Sequence, residues 1–327
     1  MTRLGYQIPN FTYPGVGPDG LFDAVAAQAA AADANGFDTV LVMDHFYQLP
    51  MLGRPEQEML ECYTLLAALA GVTTQARLSA LVTGNTYRNP TLLAKIVTTL
   101  DVVSHGRGQL GIGAGWFELE HTSLGFEFGT FTDRFEKLEE ALRIIVPMLR
   151  GERPTLAGKH YRAEGAINSP PPVSRVPVMI GGGGERKTLR LVAMFADESN
   201  LICEPHEVAR KLDVLAGHCE AVGRDRSEIT VSWQRSACVA PTREQAEAEF
   251  AGMLEQRGLS LASMSEEQRT AMASRFAIGS PDDVGEAFSR WLDLGVDGFT
   301  VNAVANGHDP ERVALLGQTL AKVVGTA

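Results

Sequence analysis

Asp44 and His45 are the residues of this chain best placed to do chemistry. They follow a short run, residues 39–43, that is apolar and rich in β-branched side chains, and such a run predicts a buried parallel strand. In α/β barrels and open α/β sheets, chemistry takes place at the carboxyl ends of the strands. His45 is therefore the first candidate for an acid or base, with a purely structural pairing of His45 and Asp44 as the alternative.

A second segment follows the next predicted strand and begins Leu81-Val82-Thr83-Gly84-Asn85. Gly84 would let a ligand approach the backbone closely, and Thr83 and Asn85 offer hydrogen bonds. An ordinary strand-to-helix turn explains the glycine, asparagine and proline of this stretch equally well. By itself the segment leaves both interpretations open.

The third segment, Gly111-Ile112-Gly113-Ala114-Gly115-Trp116, has the spacing GxGxG. It differs from the dinucleotide fingerprint GxGxxG, and no matching acidic residue follows it. We expect the glycines to clear space for a flat ligand at the mouth of a barrel, with Trp116 as a wall. A glycine-bent strand followed by a core tryptophan is the alternative.

Four consecutive glycines lie between a predicted strand and a predicted helix. They are Gly181, Gly182, Gly183 and Gly184. They would leave a row of free backbone N–H groups beside a helix N-terminus, an arrangement that suits a phosphate. Arg186 and Lys187 add positive charge, although the GK[ST] ending of a Walker A loop is absent. The pattern favours an anion site over a merely flexible loop.

The wider pattern alternates strands with helices. Strands are predicted at residues 4–9, 39–43, 78–83, 108–112, 177–180, 198–202, 228–233 and 298–302. Helices are predicted at residues 21–35, 56–73, 89–104, 132–149, up to 195, 205–222, 243–257, 266–277, from 280 onward, and 310–323. Regular alternation predicts parallel strands. Eight units predict a closed (β/α)8 barrel formed by one domain, residues 1–327, with a doubly wound sheet as the alternative.

Two longer interruptions separate the predicted elements, at residues 47–56 and 151–176. In a barrel, insertions of this kind often shape the mouth of the active site. We therefore expect insertions at the carboxyl-end face. No motif in either segment identifies a substrate.

The composition disfavours several classes of function. With 29 basic and 40 acidic residues, the formal net charge is −11, which disfavours nucleic acid and anionic membranes as partners. The four cysteines and seven histidines show no metal-ligand spacing, so no metal is expected. Neither a signal-peptide pattern nor a bilayer-spanning run is found, so we expect a cytoplasmic protein with free thiols.

Taken in order along the chain, these segments resemble the luciferase-like monooxygenase superfamily, in particular its branch of coenzyme F420-dependent oxidoreductases. The matching stretches are residues 42–46, 82–90, 99–107, 111–116, 134–141 and 181–186. The resemblance implies a TIM barrel of the bacterial luciferase-like type and a homodimer. It also implies a flat cofactor at the carboxyl ends of the strands, which is coenzyme F420 or, as the alternative, FMN.

The resemblance assigns roles to the candidate residues. Asp44 and His45 match the family's Asp-His pair beside the ring, and His45 would donate or accept a proton, a role that suits histidine near neutral pH. A non-prolyl cis peptide is expected at Leu81–Val82 or one residue later, behind the ring. The cofactor would lie against residues 81–85 and 113–116, and the glycine run with Arg186 would hold its phosphate.

One departure from the family bears on the substrate. The family's sugar-phosphate dehydrogenases carry a glutamate shortly after the GxGxG strand, where this chain has Trp116, and Glu118 and Glu120 lie out of register. We therefore expect an F420-dependent oxidoreductase that transfers a hydride to or from a weakly polar organic substrate. The alternatives are an FMN-dependent monooxygenase that uses oxygen and a non-catalytic flavin- or deazaflavin-binding protein.

Overall fold

The computed structural model describes residues 3–259 and 264–325, which contain twelve strands and eleven α-helices. The strands are β1 (Leu4–Ile8), β2 (Thr39–Val42), β3 (Arg77–Ala80), β4 (Thr83–Gly84), β5 (Leu110–Gly113), β6 (Leu156–Ala157), β7 (Arg162–Ala163), β8 (Val178–Gly181), β9 (Glu198–Leu201), β10 (Thr230–Val239), β11 (Phe276–Gly279) and β12 (Gly298–Asn302). The helices are α1 (Leu21–Ala34), α2 (Cys62–Leu69), α3 (Pro90–Val103), α4 (Glu118–Leu124), α5 (Phe131–Leu149), α6 (Thr188–Phe195), α7 (Val208–Ala221), α8 (Arg243–Gln256), α9 (Glu266–Ala273), α10 (Pro281–Leu292) and α11 (Pro310–Val324).

The strands of the main sheet run parallel around a closed barrel. The order is β3-β2-β1-β12-β10-β9-β8-β5-β4, and β3 and β4 are two parts of one interrupted strand. The N–H of Leu78 donates to the carbonyl oxygen of Arg107 at 2.9 Å, and the N–H of Gln109 donates to that of Leu78 at 3.1 Å. These bonds close the barrel between β3 and β5, so the predicted (β/α)8 fold is confirmed.

The largest buried side chains lie between the barrel and its helices. Trp233, Phe288 and Phe299 are fully buried in one cluster, and the rings of Phe288 and Phe299 meet edge to face at 4.9 Å. Burial of each such ring stabilises the fold by roughly 1.5–3 kcal/mol. The scaffold that carries the mouth is therefore held by a continuous apolar layer.

The inside of the barrel is filled by side chains, and one side of it is polar. Asn200 Nδ2 donates to Ser232 Oγ at 2.9 Å and to Thr300 Oγ1 at 2.8 Å. Because β10 separates β9 from β12, this pair of bonds requires Asn200 to point into the barrel. The opposite side of the interior is apolar. It contains Leu41, Leu81 and Met179.

Several elements differ from the sequence prediction, which also did not include the hairpin β6–β7. The helix predicted at residues 266–277 ends at Ala273. Phe276 begins β11, which pairs with β10 and extends the sheet. The ring of Phe276 packs on that of Phe250 at 5.2 Å and holds the strand there. Helix α2 is shorter than predicted, because Glu61 caps it by accepting the N–H of Thr64 at 2.7 Å. Helix α4 was not predicted, and it proves central to the site.

Residues 151–176 connect α5 to β8 and therefore start and end at the amino-end face of the barrel. The hairpin β6–β7 within them packs on α5, where Glu140 Oε2 accepts the N–H groups of His160 and Tyr161 at 2.9 and 2.8 Å. Further along, Asp101 of α3 accepts the N–H groups of residues 173 and 174. These contacts brace α3 and α5, whereas the mouth is shaped by the segment after β2 and by α8, which follows β10.

Gly111 provides a test of the closing seam. A Cβ at this position would lie 2.0 Å from the carbonyl oxygen of Ala80, so backbone would have to move. We predict that Gly111→Ala lowers the free energy of unfolding by about 1–3 kcal/mol or more. Urea denaturation followed by circular dichroism measures this change.

The matched control is Gly217→Ala on α7, where a Cβ would have no atom within 4 Å. This variant is expected to match the wild type or to gain up to about 1 kcal/mol, because alanine favours a helix over glycine. Equal stability of the two variants would show that the seam accommodates a Cβ.

Candidate active site

His45 lies directly beyond β2 at the carboxyl-end mouth of the barrel. Its Nδ1 is 2.9 Å from Glu120 Oε2, and its ring meets Trp116 and Phe117 at 5.8 Å, edge to face in both cases. The side chain is only 12% exposed. Among the described residues no hydrogen-bond partner occupies Nε2, so this nitrogen is the one available to a ligand.

Glu120 is the partner that sets the orientation of His45. The carboxylate is fully buried. Its Oε1 accepts the N–H groups of Phe46 and Tyr47 at 2.5 and 2.8 Å, and its Oε2 accepts the hydroxyl of Tyr87 at 2.5 Å. Burial alone would raise the pKa of Glu120, but the hydrogen bonds from His45, Tyr87 and Tyr47 outweigh it and hold the pKa below its usual value.

An ionised carboxylate only accepts hydrogen bonds. Nδ1 of His45 must therefore carry the hydrogen that it shares with Glu120. In the neutral ring this leaves Nε2 as the unprotonated nitrogen, which accepts a proton. The contact thus fixes one tautomer of His45 and aligns the ring as a base.

Helix α4 carries Glu120 to this position. The next residue, His121, is also fully buried, and its ring bonds the carbonyl oxygen of Phe117 at 2.8 Å and Thr86 Oγ1 at 2.7 Å. These bonds tie α4 to the loop after β4 while Glu120 ties it to the segment after β2. The sequence prediction treats Glu120 as out of register. An acid–histidine pair shortly after the GxGxG segment is the signal that could have identified it.

Asp44 belongs to a separate network. Its two oxygens accept Arg88 Nη1 and Nη2 at 2.7 and 3.0 Å, and Oδ2 also accepts the N–H of Gly84 at 3.0 Å. Burial alone would lower the pKa of Arg88, but the charge of Asp44 raises it above its usual value. The side chains of Asp44 and His45 share no hydrogen bond, so the structural pairing considered from the sequence is not found.

The predicted residues of β4 and the neighbouring strands come together beside these networks. The Leu81–Val82 peptide is cis, as the resemblance implies. The methyl groups of Val82 lie so close to the backbone of β5 and β8 that a Cβ would stand 2.9 Å away at Gly113 and 2.8 Å away at Gly181. Asn85 donates its N–H to the carbonyl oxygen of Gly113 at 3.0 Å. The floor of the mouth is therefore backbone with one small apolar side chain.

The glycine run continues this floor from β8 towards α6. A Cβ at Gly183 would stand 2.9 Å from the carbonyl oxygen of Ile202, and Gly182 has φ +115°. Packing within the chain thus accounts for glycine at these two positions whether or not a ligand binds. Arg186 is exposed and forms no ion pair with any described residue, so its charge remains available to an anion.

Trp116 stands at the rim of the mouth. It is 54% exposed and packs against Phe117 at 5.3 Å as well as against His45. The alternative of a core tryptophan is therefore wrong. Ala114 and Gly115 precede it, and the carbonyl oxygen of Gly115 accepts Arg134 Nε at 3.1 Å, which ties the turn to α5.

A cavity of about 360 Å³ opens beside this region, on the same face of the barrel. It is lined by residues after β1, β2 and β12 and by α8, and the predicted cofactor residues do not line it. Of the two interruptions noted in the sequence, only the first contributes, through Gln48 and Leu52. The mouth therefore has two parts, the floor formed by β4, β5 and β8 and the cavity. His45, which follows β2, lies between them.

One group of side chains in the described part of the chain has the spacing of metal ligands. Asp133, Glu136 and His160 bring their ligand atoms within 4.8 Å of one another. Lys159 Nζ lies 2.7 Å from Glu136 Oε2 and 3.6 Å from Asp133 Oδ1, so a cation of the chain already contacts both carboxylates.

No described helix is both long and apolar enough to cross a membrane.

Known proteins resemble this chain over nearly its whole length. The model of the luciferase-like monooxygenase family matches residues 2–298. An F420-dependent glucose-6-phosphate dehydrogenase of Microbacterium testaceum is 29% identical over 328 residues, which cover 95% of this chain and 93% of that protein.

Two solved structures share the fold at low identity. An F420-dependent secondary alcohol dehydrogenase in complex with an F420-acetone adduct has a TM-score of 0.76 at 18% identity, covering 97% of this chain and 99% of that one. The monooxygenase RslO1 from Streptomyces bottropensis has a TM-score of 0.81 at 19% identity, covering 98% of each chain. At these identities the likeness supports the barrel fold alone.

The Glu120 network yields a prediction about stability and pH. Because the folded-state pKa of Glu120 lies below its ordinary value of 4.5, its ionised form stabilises the fold above that pH, and the stabilisation is lost as the pH falls through the folded-state pKa. We predict that Glu120→Gln lowers the free energy of unfolding by about 1–3 kcal/mol at pH 7. The difference from wild type should shrink below pH 4.5.

Denaturant titrations between pH 3 and 7 measure this difference. The control is Glu118→Gln, which changes an exposed acid on the same helix and should track the wild type. A gap that stays constant across the pH range would mean that Glu120 is not ionised in the folded protein.

Proposed function

The chain belongs to the luciferase-like monooxygenase family, and on that basis we propose that it is an F420-dependent oxidoreductase. It moves a hydride between the deazaflavin and an organic substrate at the carboxyl-end mouth of the barrel. Relatives named as F420-dependent dehydrogenases support the cofactor. The observation that carries the proposal is His45, whose Nδ1 is held by buried Glu120 while Nε2 remains available at the mouth.

The residues at the mouth fit a flat, anionic cofactor. Val82 over the backbone of Gly113 and Gly181 makes a floor without bulky side chains, and Arg186 is a cation without a carboxylate partner. The residues proposed to hold F420 are Leu81, Val82, Thr83, Gly84, Asn85, Gly113, Ala114, Gly115, Trp116, Gly181, Gly182, Gly183, Gly184 and Arg186, beside Asp44 and His45. When bound, the deazaflavin supplies the carbon that accepts or releases the hydride.

His45 moves the proton that accompanies the hydride. In the oxidative direction, Nε2 takes the proton from the substrate hydroxyl as the carbon beside it loses its hydride. In the reductive direction, the protonated ring returns that proton to the developing alkoxide. Glu120 serves both steps, because its contact with Nδ1 keeps that nitrogen protonated throughout and leaves Nε2 as the nitrogen that exchanges the proton.

Asp44 has a positioning role in this proposal. Both of its oxygens are committed to Arg88 and Gly84, so it does not exchange protons with a substrate. It ties the end of β2 to β4, and this fixes the backbone from which His45 projects. Removing one partner of such a buried pair typically costs about 3–5 kcal/mol of stability.

The surroundings of His45 favour a substrate whose reacting end is weakly polar. Trp116 and Phe117 both face the imidazole ring, so the reacting carbon would lie between aromatic surfaces. We further propose a homodimer in the cytoplasm. The family resemblance supports the dimer, and the four unpaired cysteines fit a reducing compartment.

An FMN-dependent monooxygenase remains the second candidate, because the neighbour RslO1 is a monooxygenase with a TM-score of 0.81. A fluorescence titration of the purified protein with F420 and with FMN separates the two. We expect F420 to bind at least about tenfold more tightly, a difference of about 1.4 kcal/mol. Tighter binding of FMN would overturn the cofactor assignment.

The same titration tests the phosphate site. Arg186→Gln should weaken F420 binding several-fold, because it removes an unpaired cation beside the glycine run. Arg162→Gln, which changes an exposed arginine of the β6–β7 hairpin, is the matched control. Unchanged affinity in Arg186→Gln would remove Arg186 from the site.

His45→Gln tests the proton-transfer role. With a substrate found by screening alcohols against F420 and ketones against its reduced form, we expect kcat to fall by about 10²–10⁴-fold. The affinity for F420 should be retained. Wild-type turnover in this variant would exclude His45 as the acid or base.

A further inference from the structure

The charged side chains that line the cavity beside the active site form two groups, and Arg312 is the cation of the first. Glu249 Oε1 lies 2.7 Å from Arg312 Nη2, and Glu249 Oε2 accepts Asn306 Nδ2 at 2.6 Å. Burial alone would raise the pKa of Glu249, but Arg312 and Asn306 hold it below its usual value. Asp309 also lines the cavity, and its charge acts on Arg312 as well. The positive charge of Arg312 therefore faces two carboxylates and is not free for an anion.

Arg257 is the cavity-lining cation that lacks such a partner. Within the described residues the one hydrogen bond of its side chain is from Nη1 to the carbonyl oxygen of Met51 at 3.3 Å, and no carboxylate lies within ion-pair distance. The side chain is half-buried, and burial lowers its pKa. A charge withdrawn from water without a counter-ion is unfavourable for the folded protein. An anion at this position would remove that penalty.

The other residues that line the cavity indicate which further chemical groups the ligand has. Leu52, Met253 and Val304 contribute apolar surface to the cavity, and polar side chains such as Gln57 and Gln256 line much of the rest. Its volume of about 360 Å³ is at the lower end of the range for small-molecule sites. A small organic body with a single anionic group therefore matches the lining.

Part of the cavity lining belongs to the same stretch of chain as His45. Gln48 and Leu52 line the cavity, and they follow His45 on the same stretch of chain. That stretch is anchored next to His45, where the N–H of Tyr47 donates to Glu120. A ligand held in the cavity thus contacts the segment whose position sets the geometry of His45.

We propose that this cavity binds the non-reacting end of the substrate, and that this end is an organic anion, carboxylate or phosphate, held by Arg257. The apolar body packs on Leu52, Met253 and Val304, and the reacting carbon reaches His45. As a statement about the substrate, the inference rests on the proposed function. Interactions remote from the reacting carbon are a normal source of catalytic binding energy.

Thermal unfolding of the cofactor-free protein with benzoate, phenyl phosphate or benzyl alcohol tests the proposal. An anion that binds the folded state raises the Tm by mass action. We expect a rise with at least one of the two anions and none with benzyl alcohol, the neutral probe. The anion with the larger effect identifies the group that Arg257 prefers.

Two variants assign the effect to the cavity. Arg257→Met should abolish the rise, with at least a tenfold loss of anion affinity, and should itself unfold at or above the wild-type temperature because an uncompensated charge is removed. Arg243→Met, on the same helix but paired with Asp283 outside the cavity, should respond like the wild type.

Several results would overturn the proposal. They are equal stabilisation of wild type and Arg257→Met, no stabilisation by either anion, and a lower Tm for Arg257→Met without ligand, which would make Arg257 a structural contact. Weaker F420 binding in Arg257→Met would assign the residue to the cofactor instead. Since the anion measurements contain no cofactor, failure of the F420 assignment leaves their outcome unchanged.

Discussion

The geometry of the mouth depends on one buried carboxylate, that of Glu120. A carboxylate without water requires a full set of donors, and Glu120 finds them in the N–H groups of Phe46 and Tyr47, the hydroxyl of Tyr87 and the ring of His45. These donors come from the segments after β2 and β4, while the acceptor sits on α4 after β5. Three loops that would otherwise be independent therefore hold one another in place, and the orientation of His45 follows from that requirement.

Asp44 meets the same requirement through a different set of partners. Successive residues of an extended chain point in opposite directions, so Asp44 turns to Arg88 and Gly84 while His45 turns to Glu120. The carboxylate of Asp44 is fully paired with the bidentate guanidinium of Arg88 and has no remaining function in proton exchange. The carboxylate of Glu120 binds only Nδ1 of His45 and leaves Nε2 available among the described residues. The alternating direction of the backbone thus gives Asp44 an anchoring role and His45 a reactive one.

The sequence predicts the barrel well, because each strand is a short apolar run between turn signals. Residues 298–302 form β12 as predicted, and Ser280 caps α10 by accepting the N–H of Asp283. Helix α4 escaped prediction, since seven residues directly after a glycine segment show no apolar period. The role of Glu120 escaped for a different reason: its partners Tyr87 and His45 lie 33 and 75 positions away. Contacts of that range leave no local pattern, so only the folded chain identifies them.

The barrel places unlike surfaces on the two sides of His45. Strands β3, β4, β5 and β8 present backbone and Val82, a surface that suits a flat ring because no bulky side chain projects from it. Beyond β2 the next strands around the barrel are β1, β12 and β10, whose following segments enclose the cavity with Arg257, Gln48 and Asn306. A hydride must pass between two partners held in contact, which requires two different surfaces facing one reacting point. Since β2 separates these surfaces in the strand order, a histidine at its end lies between them around the barrel.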